Sequence, residues 1–465
     1  MRSSSSIRAR FVSRQALFVS VLAGLVAACD PAPSADAAAE TERAPAPTAQ
    51  AVKSAAADDS RLGAARALAL ASPGGTSPVD NLILAYQKKV EKDPMHTDTW
   101  VLLGRAWVRK ARESADPGFY LNAKACADLV LDITPGYPLA MNLIAQGLLS
   151  DHKFSEARDI AEQILIKDPE DLMALGTLSD TMLELGRHDE AAKAAEKMMD
   201  LKPSLPSYAR TSYIAWLHGD TKGALESIRL AAESARDPSD PEPRAWALVQ
   251  AALIFWHQGD YSGADAGFKL ALEGFADYPP ALVGRARVAL VQGEPKRAVD
   301  LLEKAHKLSP LVETAWRLGD ARAAAGDDKG AAQAYELVVK DGRHDKRTLA
   351  LFYAVKNRNI DDAVRLAKEE MELRGGTYTA DAYAWALYRA GKIPEARAMS
   401  DRATRLGTKD ASLLYHAGAI RIAAGDVEAG RKLVAEALKL NPKFDVDGSA
   451  EAAKLVGPPD GAPSK

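Results

Sequence analysis

Apolar side chains recur along most of the chain with the spacing of amphipathic helices. Between short interruptions they stand at positions i, i+3, i+4 and i+7, which share one face of an α-helix. One such set is Leu301, Leu302, Ala305 and Leu308. Residues 95–442 are therefore predicted to be helical, and there are hardly any signals of β-strands.

The interruptions are periodic. A small residue recurs in steps of 32 to 34 residues, with one step of 40, at Ala123, Ala157, Ala191, Ala224, Ala264, Ala298, Ala331, Ala363, Ala396 and Gly430. Five residues before most of these positions lies a glycine, and about twelve residues after several of them lies a proline. The glycines are Gly186, Gly219, Gly259, Gly293, Gly326, Gly391 and Gly425. Each unit is therefore predicted to be a helix, a glycine turn, a second helix and a proline stop.

The small residue has a role in packing. It stands early in the second helix, where a larger side chain would hold the two helices of a unit apart. A single helix pair cannot bury its apolar face, so the units are expected to stack on one another.

This pattern resembles the tetratricopeptide-repeat (TPR) family. Trp100, Leu103, Gly104 and Trp107 match the first helix of that repeat, and Leu318–Gly319 matches it in part. Elsewhere the tryptophan is replaced and the glycine is alanine or serine. The resemblance covers about residues 95–442 and implies an all-α TPR solenoid, a right-handed superhelix of about ten helix-turn-helix repeats.

Other segments flank or interrupt the repeats. Two insertions with Asp-Pro steps, in the first unit and between Ala224 and Ala264, are predicted to be loops. Residues 78–94 are predicted to form an N-terminal capping helix. Residues 443–465 are predicted to form a C-terminal cap and tail with one short helix.

The first 28 residues have the features of a secretory signal. Four arginines and no acidic residue precede an uncharged run, Ala16 to Ala28, that is too short to span a bilayer. The sequence Val26-Ala27-Ala28-Cys29 resembles the lipobox of bacterial lipoproteins, although that family usually has leucine in place of Val26. The resemblance implies cleavage before Cys29 and lipidation of its thiol. An ordinary cleaved signal with an incidental cysteine is the alternative.

Residues 29–77 are predicted to be a disordered tether. They consist of alanine, proline, serine, threonine and scattered charge, which bury too little apolar surface to fold. A short helix from Arg61 to Ser72 is possible within them. Since several acyl chains anchor a protein stably, the lipobox implies attachment to a membrane of the bacterial cell envelope, facing the periplasm or the exterior.

Composition narrows the classes of function. Of the 465 residues, 47 % are apolar and 26 % charged, which is typical of a globular protein. The formal net charge is −3 and becomes −7 when residues 1–28 are removed, so no nucleic-acid partner is expected. Two cysteines cannot supply a disulfide framework, and Cys126 is expected to be a buried thiol.

Candidate chemistry is sparse. The eight histidines show no metal-ligand spacing, and four of them are expected to be solvated or bonded to carbonyl groups near inter-helix turns: His152, His188, His218 and His257. The pairs Asp327–Asp328 and Asp361–Asp362 stand where carboxylates cap second helices. No metal, cofactor or catalytic group is predicted.

Aromatic residues are the more informative set. The TPR register implies that several of them lie on or near the concave face of the superhelix, where they would anchor a ligand. These candidate groove residues are Tyr213, Trp216, Trp256, Trp316, Phe352, Trp385, Tyr388 and Tyr415. Packing between repeats is the competing interpretation.

The hypothesis for function is a non-catalytic, membrane-tethered scaffold. It would bind a protein or peptide partner of unknown identity along the concave groove. A glycan- or cell-wall-binding module, or an accessory subunit of an envelope biogenesis machine, is the alternative. An enzyme is disfavoured, because little sequence follows Pro442.

Overall fold

The computed structural model describes residues 60–456. The predicted signal peptide (1–28), the lipidation site at Cys29, the tether up to residue 59 and residues 457–465 lie outside this range.

Regular structure in the described range is helical. Helix α1 covers residues 60–69 and α2 spans Pro78–Lys92, where the capping helix is predicted. Ten helix pairs, repeats 1 to 10, follow. Their bounds are α3 Thr97–Ser114 and α4 Phe119–Ile133, α5 Pro138–Ser150 and α6 Phe154–Lys167, α7 Leu172–Glu184 and α8 His188–Leu201, α9 Leu205–Leu217 and α10 Thr221–Ser234, α11 Glu242–His257 and α12 Tyr261–Gly274, α13 Pro279–Val291 and α14 Pro295–Leu308, α15 Val312–Ala324 and α16 Asp328–Asp341, α17 Lys346–Val355 and α18 Ile360–Leu373, α19 Thr377–Arg389 and α20 Ile393–Thr404, and α21 Ala411–Ala423 and α22 Val427–Leu440. A 3-10 turn, Gly342–His344, follows α16, and α23 spans Gly448–Val456.

The ten pairs confirm the predicted solenoid of helix-turn-helix repeats. The predicted small residues are buried where the two helices of a pair meet. In repeat 10 the two helices approach so closely that a Cβ on Gly430 would lie 2.6 Å from the carbonyl oxygen of Gly418. In repeat 3 the Ser179 hydroxyl donates to the carbonyl of Ala191 at 3.0 Å. Small side chains are thus required where these backbones approach.

The N-terminal part of the solenoid extends further than predicted. Residues 60–77 were assigned to the tether, but Ala65 and Ala69 of α1 are buried in the first hydrophobic core. Gln87 Nε2 and Trp107 Nε1 both donate to the carbonyl of Ala69, at 3.2 and 3.0 Å. The small residues of α1 allow it to pack closely on α2 and α3. The folded part therefore begins by residue 60.

The superhelix closes on itself after five repeats. The loop that follows a later repeat lies on the intra-repeat turn of the repeat five places earlier. Three hydrogen bonds mark this contact: Ser309 Oγ to the carbonyl of Ala115 (3.1 Å), Thr408 Oγ1 to that of Leu217 (2.6 Å) and Asn441 Nδ2 to that of Trp256 (2.7 Å). Repeats 1–5 thus form a first superhelical turn, and repeats 6–10 form a second that lies against it.

The two insertions differ in structure. The first lies partly in α3, whose 18 residues make it longer than the other first helices, and only its remainder is a loop. The second forms the loop at 235–241, and it reaches back to repeat 1. Arg112 of α3 forms a buried ion pair with Glu242 at 2.8 Å. Arg109 lies 3.4 Å from Asp240. This loop therefore closes the first superhelical turn.

Among residues 60–456, no helix combines the length and the apolar character that crossing a bilayer requires.

Candidate functional site

The first helices of repeats 5–10 surround a cavity of about 180 Å³ on the axis of the superhelix, called here the inner cavity. Its wall includes Trp316 of α15, Leu351 of α17, Trp385 and Arg389 of α19, and Tyr415 of α21. Residues four apart on a helix share a face, so α19 presents Trp385 and Arg389 together.

Trp385 is at the centre of an aromatic stack. Its ring lies 4.0 Å from the ring of His416 and 4.8 Å from that of Tyr388, and both pairs are nearly parallel. The Arg389 guanidinium lies 4.6 Å from the same ring. These neighbours leave Trp385 only 1 % exposed. The stack makes the α19–α21 wall rigid.

Several charged groups of the wall are paired. Glu451 of α23 accepts from Arg389 at 2.9 Å and from the Tyr415 hydroxyl at 2.7 Å. His416 Nδ1 lies 2.9 Å from Asp381. The lining of the inner cavity has seven carboxylates and four arginines, so its surface is polar with an excess of acidic groups.

Lys356 holds a second group of acids at the same wall. Its ammonium lies 2.6 Å from Asp320 and 2.7 Å from Asp447. Burial opposes the charged ammonium, but these two carboxylates raise the pKa of Lys356 above its ordinary value. Burial also raises the pKa of the Asp320 carboxyl, although Lys356 opposes this.

Three donors of the wall lack acceptors. The indole N–H groups of Trp316 and Trp385 and the Nε–H of Arg389 are buried and meet no hydrogen-bond acceptor among residues 60–456. Buried polar groups in proteins nearly always have partners. The inner cavity is therefore suited to a ligand that supplies acceptor oxygens.

The predicted groove residues fall into different places. Trp316, Trp385 and Tyr415 line the inner cavity, and Tyr388 lies against Trp385. Phe352 is 0 % exposed and packs edge-on against Trp316 at 5.3 Å, so it joins repeats instead of lining the groove.

The remaining three belong to other surfaces. Tyr213 and Trp216 border a small pocket of about 40 Å³ between repeats 4 and 5. Trp256 borders a separate, larger cavity near the C-terminal helix. The structure thus brings three of the eight residues together around one cavity, and it divides the others between neighbouring pockets and the core.

Two of the four histidines that were expected to be solvated or bonded to carbonyl groups are buried. His188 is covered where the second superhelical turn lies on repeat 3. His257 is also buried, with Nδ1 3.3 Å from Asp410 and its ring 4.9 Å from that of Trp216. Neither imidazole is solvated, because contact between the superhelical turns covers the ends of these helices.

Arginines on the inner face were missed by sequence reasoning. Arg389 follows Trp385 by four residues, and Arg317 follows Glu313 by four. Arg317 Nε donates to Glu313 at 2.8 Å. Helical spacing between an inward aromatic or acidic residue and an arginine is the signal that could have found them.

Three other expectations concern metal ions, Cys126 and helix capping. Residues 60–456 contain no cluster of three or more His, Cys, Asp or Glu side chains arranged to hold a metal ion. Cys126 is fully buried, and burial raises the pKa of its thiol far above the ordinary range. Asp327 caps α16 by accepting from the N–H of Gly330 at 2.9 Å.

Sequence comparisons identify the repeats. Two tetratricopeptide-repeat family models match residues 148–211 and 283–345. No curated protein sequence matches the chain.

Several solved structures are similar to the chain at low sequence identity. The chain is similar to a human IFIT1 dimer with PPP-AAAA, with 13 % identity over 82 % of this chain and 95 % of that one and a TM-score of 0.43. PilW, a widely conserved type IV pilus biogenesis factor, has 19 % identity over 43 % and 91 % of the two chains and a TM-score of 0.36. A tetratricopeptide repeat protein from Parabacteroides merdae has 19 % identity over 54 % and 98 %, with a TM-score of 0.32. The ten helix pairs in register and the two family matches together show that this chain is a tetratricopeptide-repeat protein.

Proposed function

We propose that the protein is a non-catalytic scaffold that binds an extended segment of a partner protein at the inner face of repeats 5–10. Helical solenoids use the concave surface of stacked repeats to bind other macromolecules. In this chain the corresponding surface is the wall of the inner cavity.

The unpartnered donors of that wall carry the proposal. Every residue of an extended peptide offers a carbonyl acceptor that is free of secondary structure. Such carbonyls would satisfy the N–H groups of Trp316, Trp385 and Arg389, which have no acceptor among residues 60–456. The partly exposed ring of Trp316 and the charged groups of the wall would then select side chains of the segment.

A site-specific crosslink tests where the partner binds. A photoreactive amino acid replaces Leu351, which lines the inner cavity, or Leu270, which is exposed on α12. Irradiation of cells is expected to crosslink one partner protein from position 351 and not from position 270. Equal capture from both positions would contradict binding at the inner face.

The donors can be tested without removing the rings. Trp316→Phe and Trp385→Phe each keep an aromatic ring and remove one indole N–H. Each is expected to reduce the crosslinked product about fivefold or more, as for loss of a buried hydrogen bond. Thermal unfolding serves as the control, and unchanged crosslinking in both variants would oppose the proposed role of these donors.

We also propose that the scaffold is anchored at the cell envelope through a lipid on Cys29. The support is the lipobox resemblance at Val26–Cys29 and the polar stretch that follows it. Radioactive palmitate is expected to label the mature wild-type chain and not a Cys29→Ser variant. An unlabelled mature wild-type protein would rule out the anchor.

A glycan-binding role has less support. Sugar rings stack on accessible aromatic faces, but Trp256 is 3 % exposed and the Trp385 ring is covered by its neighbours. Binding of soluble peptidoglycan fragments that is lost in the double variant Trp256→Ala/Trp385→Ala would restore this alternative.

A further inference from the structure

A second cavity, of about 660 Å³, lies between α13 and the C-terminal segment and is called here the apolar cavity. Its volume is within the range of small-molecule sites, roughly 300–1,000 Å³. Apolar side chains make up most of its wall, among them Val283, Ala286, Leu290, Phe444, Ala450 and Ala453.

The cavity is bounded on one side by α23, the last helix of the described range. Helix α23 follows repeat 10 as the first helix of an eleventh pair, and it packs on α21 and α22. The loop after an eleventh pair would lie on the intra-repeat turn of repeat 6, by the contact that joins the two superhelical turns. That turn is open, since a Cβ on Gly293 would meet no atom within 4 Å. In repeat 4 a Cβ on Gly219 would lie 2.5 Å from the carbonyl oxygen of Gly407.

Arg287 supplies a cation at this site, and the carboxylates of Glu313, Asp410 and Asp445 act on it through space. It lines both the apolar and the inner cavity, and its guanidinium lies 4.5 Å from the ring of Trp256. Burial and the nearby Arg317 lower the pKa of Arg287 to about 9, so it is charged at neutral pH. Among residues 60–456, no hydrogen bond or ion pair engages it.

Of the other charged side chains of the wall, Lys443 is exposed, and the remaining three are engaged by neighbouring groups. Arg317 is paired with Glu313, and Asp320 with Lys356. Asp445 accepts from the backbone N–H groups of Asp447 and Gly448, at 3.0 and 2.7 Å. These nearby carboxylates would repel a ligand of high negative charge, so the site favours a single negative charge.

We propose that the apolar cavity binds an amphipathic monoanion, an acyl chain whose terminal carboxylate pairs with Arg287. The chain would contact the valine, leucine and alanine side chains of α13 and α23. The planar guanidinium matches a carboxylate with two parallel hydrogen bonds. This site adjoins the proposed peptide surface and shares Arg287 and Arg317 with it, but its acyl pocket does not depend on a protein partner.

A photoreactive acyl probe tests the site in the full chain. The protein in phospholipid vesicles is irradiated with a dodecanoate that carries a diazirine at its chain end, and labelled peptides are mapped by mass spectrometry. Label is expected in residues 283–291 and 448–456, and unlabelled dodecanoate should compete about tenfold better than dodecanol. Label spread over the surface, or equal competition by dodecanol, would overturn the proposal.

Matched variants test the charge of Arg287 and the volume of the apolar cavity separately. Arg287→Gln should weaken dodecanoate competition about tenfold and leave dodecanol unchanged. The control Arg285→Gln changes a residue of the same helix that pairs with Asp265 at 3.2 Å, outside the cavity, and should have no effect. Ala453→Trp, at an exposed position of α23 that lines the cavity, should abolish the mapped label by filling it. Unchanged labelling in both Arg287→Gln and Ala453→Trp would refute the site.

Discussion

At the scale of single residues, the turn glycines share a backbone conformation but differ in what lies over them. Gly219 and Gly326 have φ of 76° and 81°, in the left-handed region that glycine adopts without strain. A Cβ on Gly219 would lie 2.5 Å from the carbonyl oxygen of Gly407, whereas one on Gly326 would meet nothing within 4 Å. The first glycine is needed for both conformation and contact, and the second for conformation alone.

Alanine substitutions at these two glycines should therefore differ in cost. Gly326→Ala should lower the free energy of unfolding by about 1–2 kcal/mol, from the left-handed backbone. Gly219→Ala should cost about 2 kcal/mol more, because the second superhelical turn must shift. Urea denaturation of both variants measures the difference, and equal losses would show that the contact contributes nothing.

His188 links stability to pH at the same contact. Burial, followed by the charge of Arg405, lowers the pKa of His188 to about 4, with smaller effects of His218 and Arg402 opposed by Asp189. The imidazole of His188 takes up a proton near pH 6.5 in the unfolded chain but only near pH 4 in the folded chain. The contribution of neutral His188 to the free energy of unfolding is thus fully present above pH 6.5 and is lost as the pH falls towards 4.

Acid should accordingly destabilise the wild type more than a variant without this imidazole. Between pH 7.5 and 4.5, His188→Gln should lose about 2 kcal/mol less unfolding free energy than the wild type. His344→Gln, at an exposed position, is the control and should follow the wild type. Parallel pH profiles of the unfolding free energy for all three proteins would show that His188 does not cause the pH dependence.

At the scale of elements, the loop at 235–241 acts as a clasp between α3 and α11. Arg112 and Glu242 are both buried, and the Glu242 carboxylate also accepts from the Tyr278 hydroxyl at 2.9 Å. A loop identified in the sequence only by its Asp-Pro steps therefore joins residues 130 positions apart.

Breaking this pair should cost more than breaking a surface pair. Arg112→Met leaves Glu242 buried without its cation and should lower the unfolding free energy by about 3–5 kcal/mol. Arg229→Met removes an exposed pair with Glu233 and should cost about 0.5 kcal/mol or less. Urea denaturation measures both losses of unfolding free energy. Similar losses in the two variants would contradict the role of the buried pair in the clasp.

At the scale of the whole molecule, contact between the two superhelical turns makes the solenoid compact. Asn441 is central to it, because it donates to the carbonyl of Trp256 at 2.7 Å and accepts from the Tyr261 hydroxyl at 2.6 Å. In an open solenoid each repeat would contact only its neighbours. Closure adds contacts between repeats 5 and 10.

Loss of this contact should open the C-terminal end. Asn441→Leu keeps the approximate volume and removes both of these hydrogen bonds, together with the one that the N–H of Lys443 donates to Asn441 at 3.0 Å. It should cost about 1–3 kcal/mol. Small-angle X-ray scattering should show a larger radius of gyration. Lys202→Leu, at the corresponding helix end of repeat 3, is the control. An unchanged radius in Asn441→Leu would mean that other contacts suffice for closure.

Much of the candidate site followed from the repeat register. The register indicated that Trp316, Trp385 and Tyr415 face inward, and all three line the inner cavity. It did not separate them from Phe352, which is buried, because inward residues either face the axis or pack against the next repeat. Which of these occurs depends on side chains of the adjacent repeat, such as Trp316 beside Phe352, that are distant in the sequence.

The sequence by itself determined the local architecture. Helix periodicity, turn glycines and small residues such as Ala191 act within one repeat, so their 34-residue period is visible along the chain. Only the tertiary structure decided the closure after five repeats, the burial of His188 and His257, and the cavity beside Arg287. These depend on pairs such as Thr408 and Leu217, which lie 191 residues apart and leave no periodic trace.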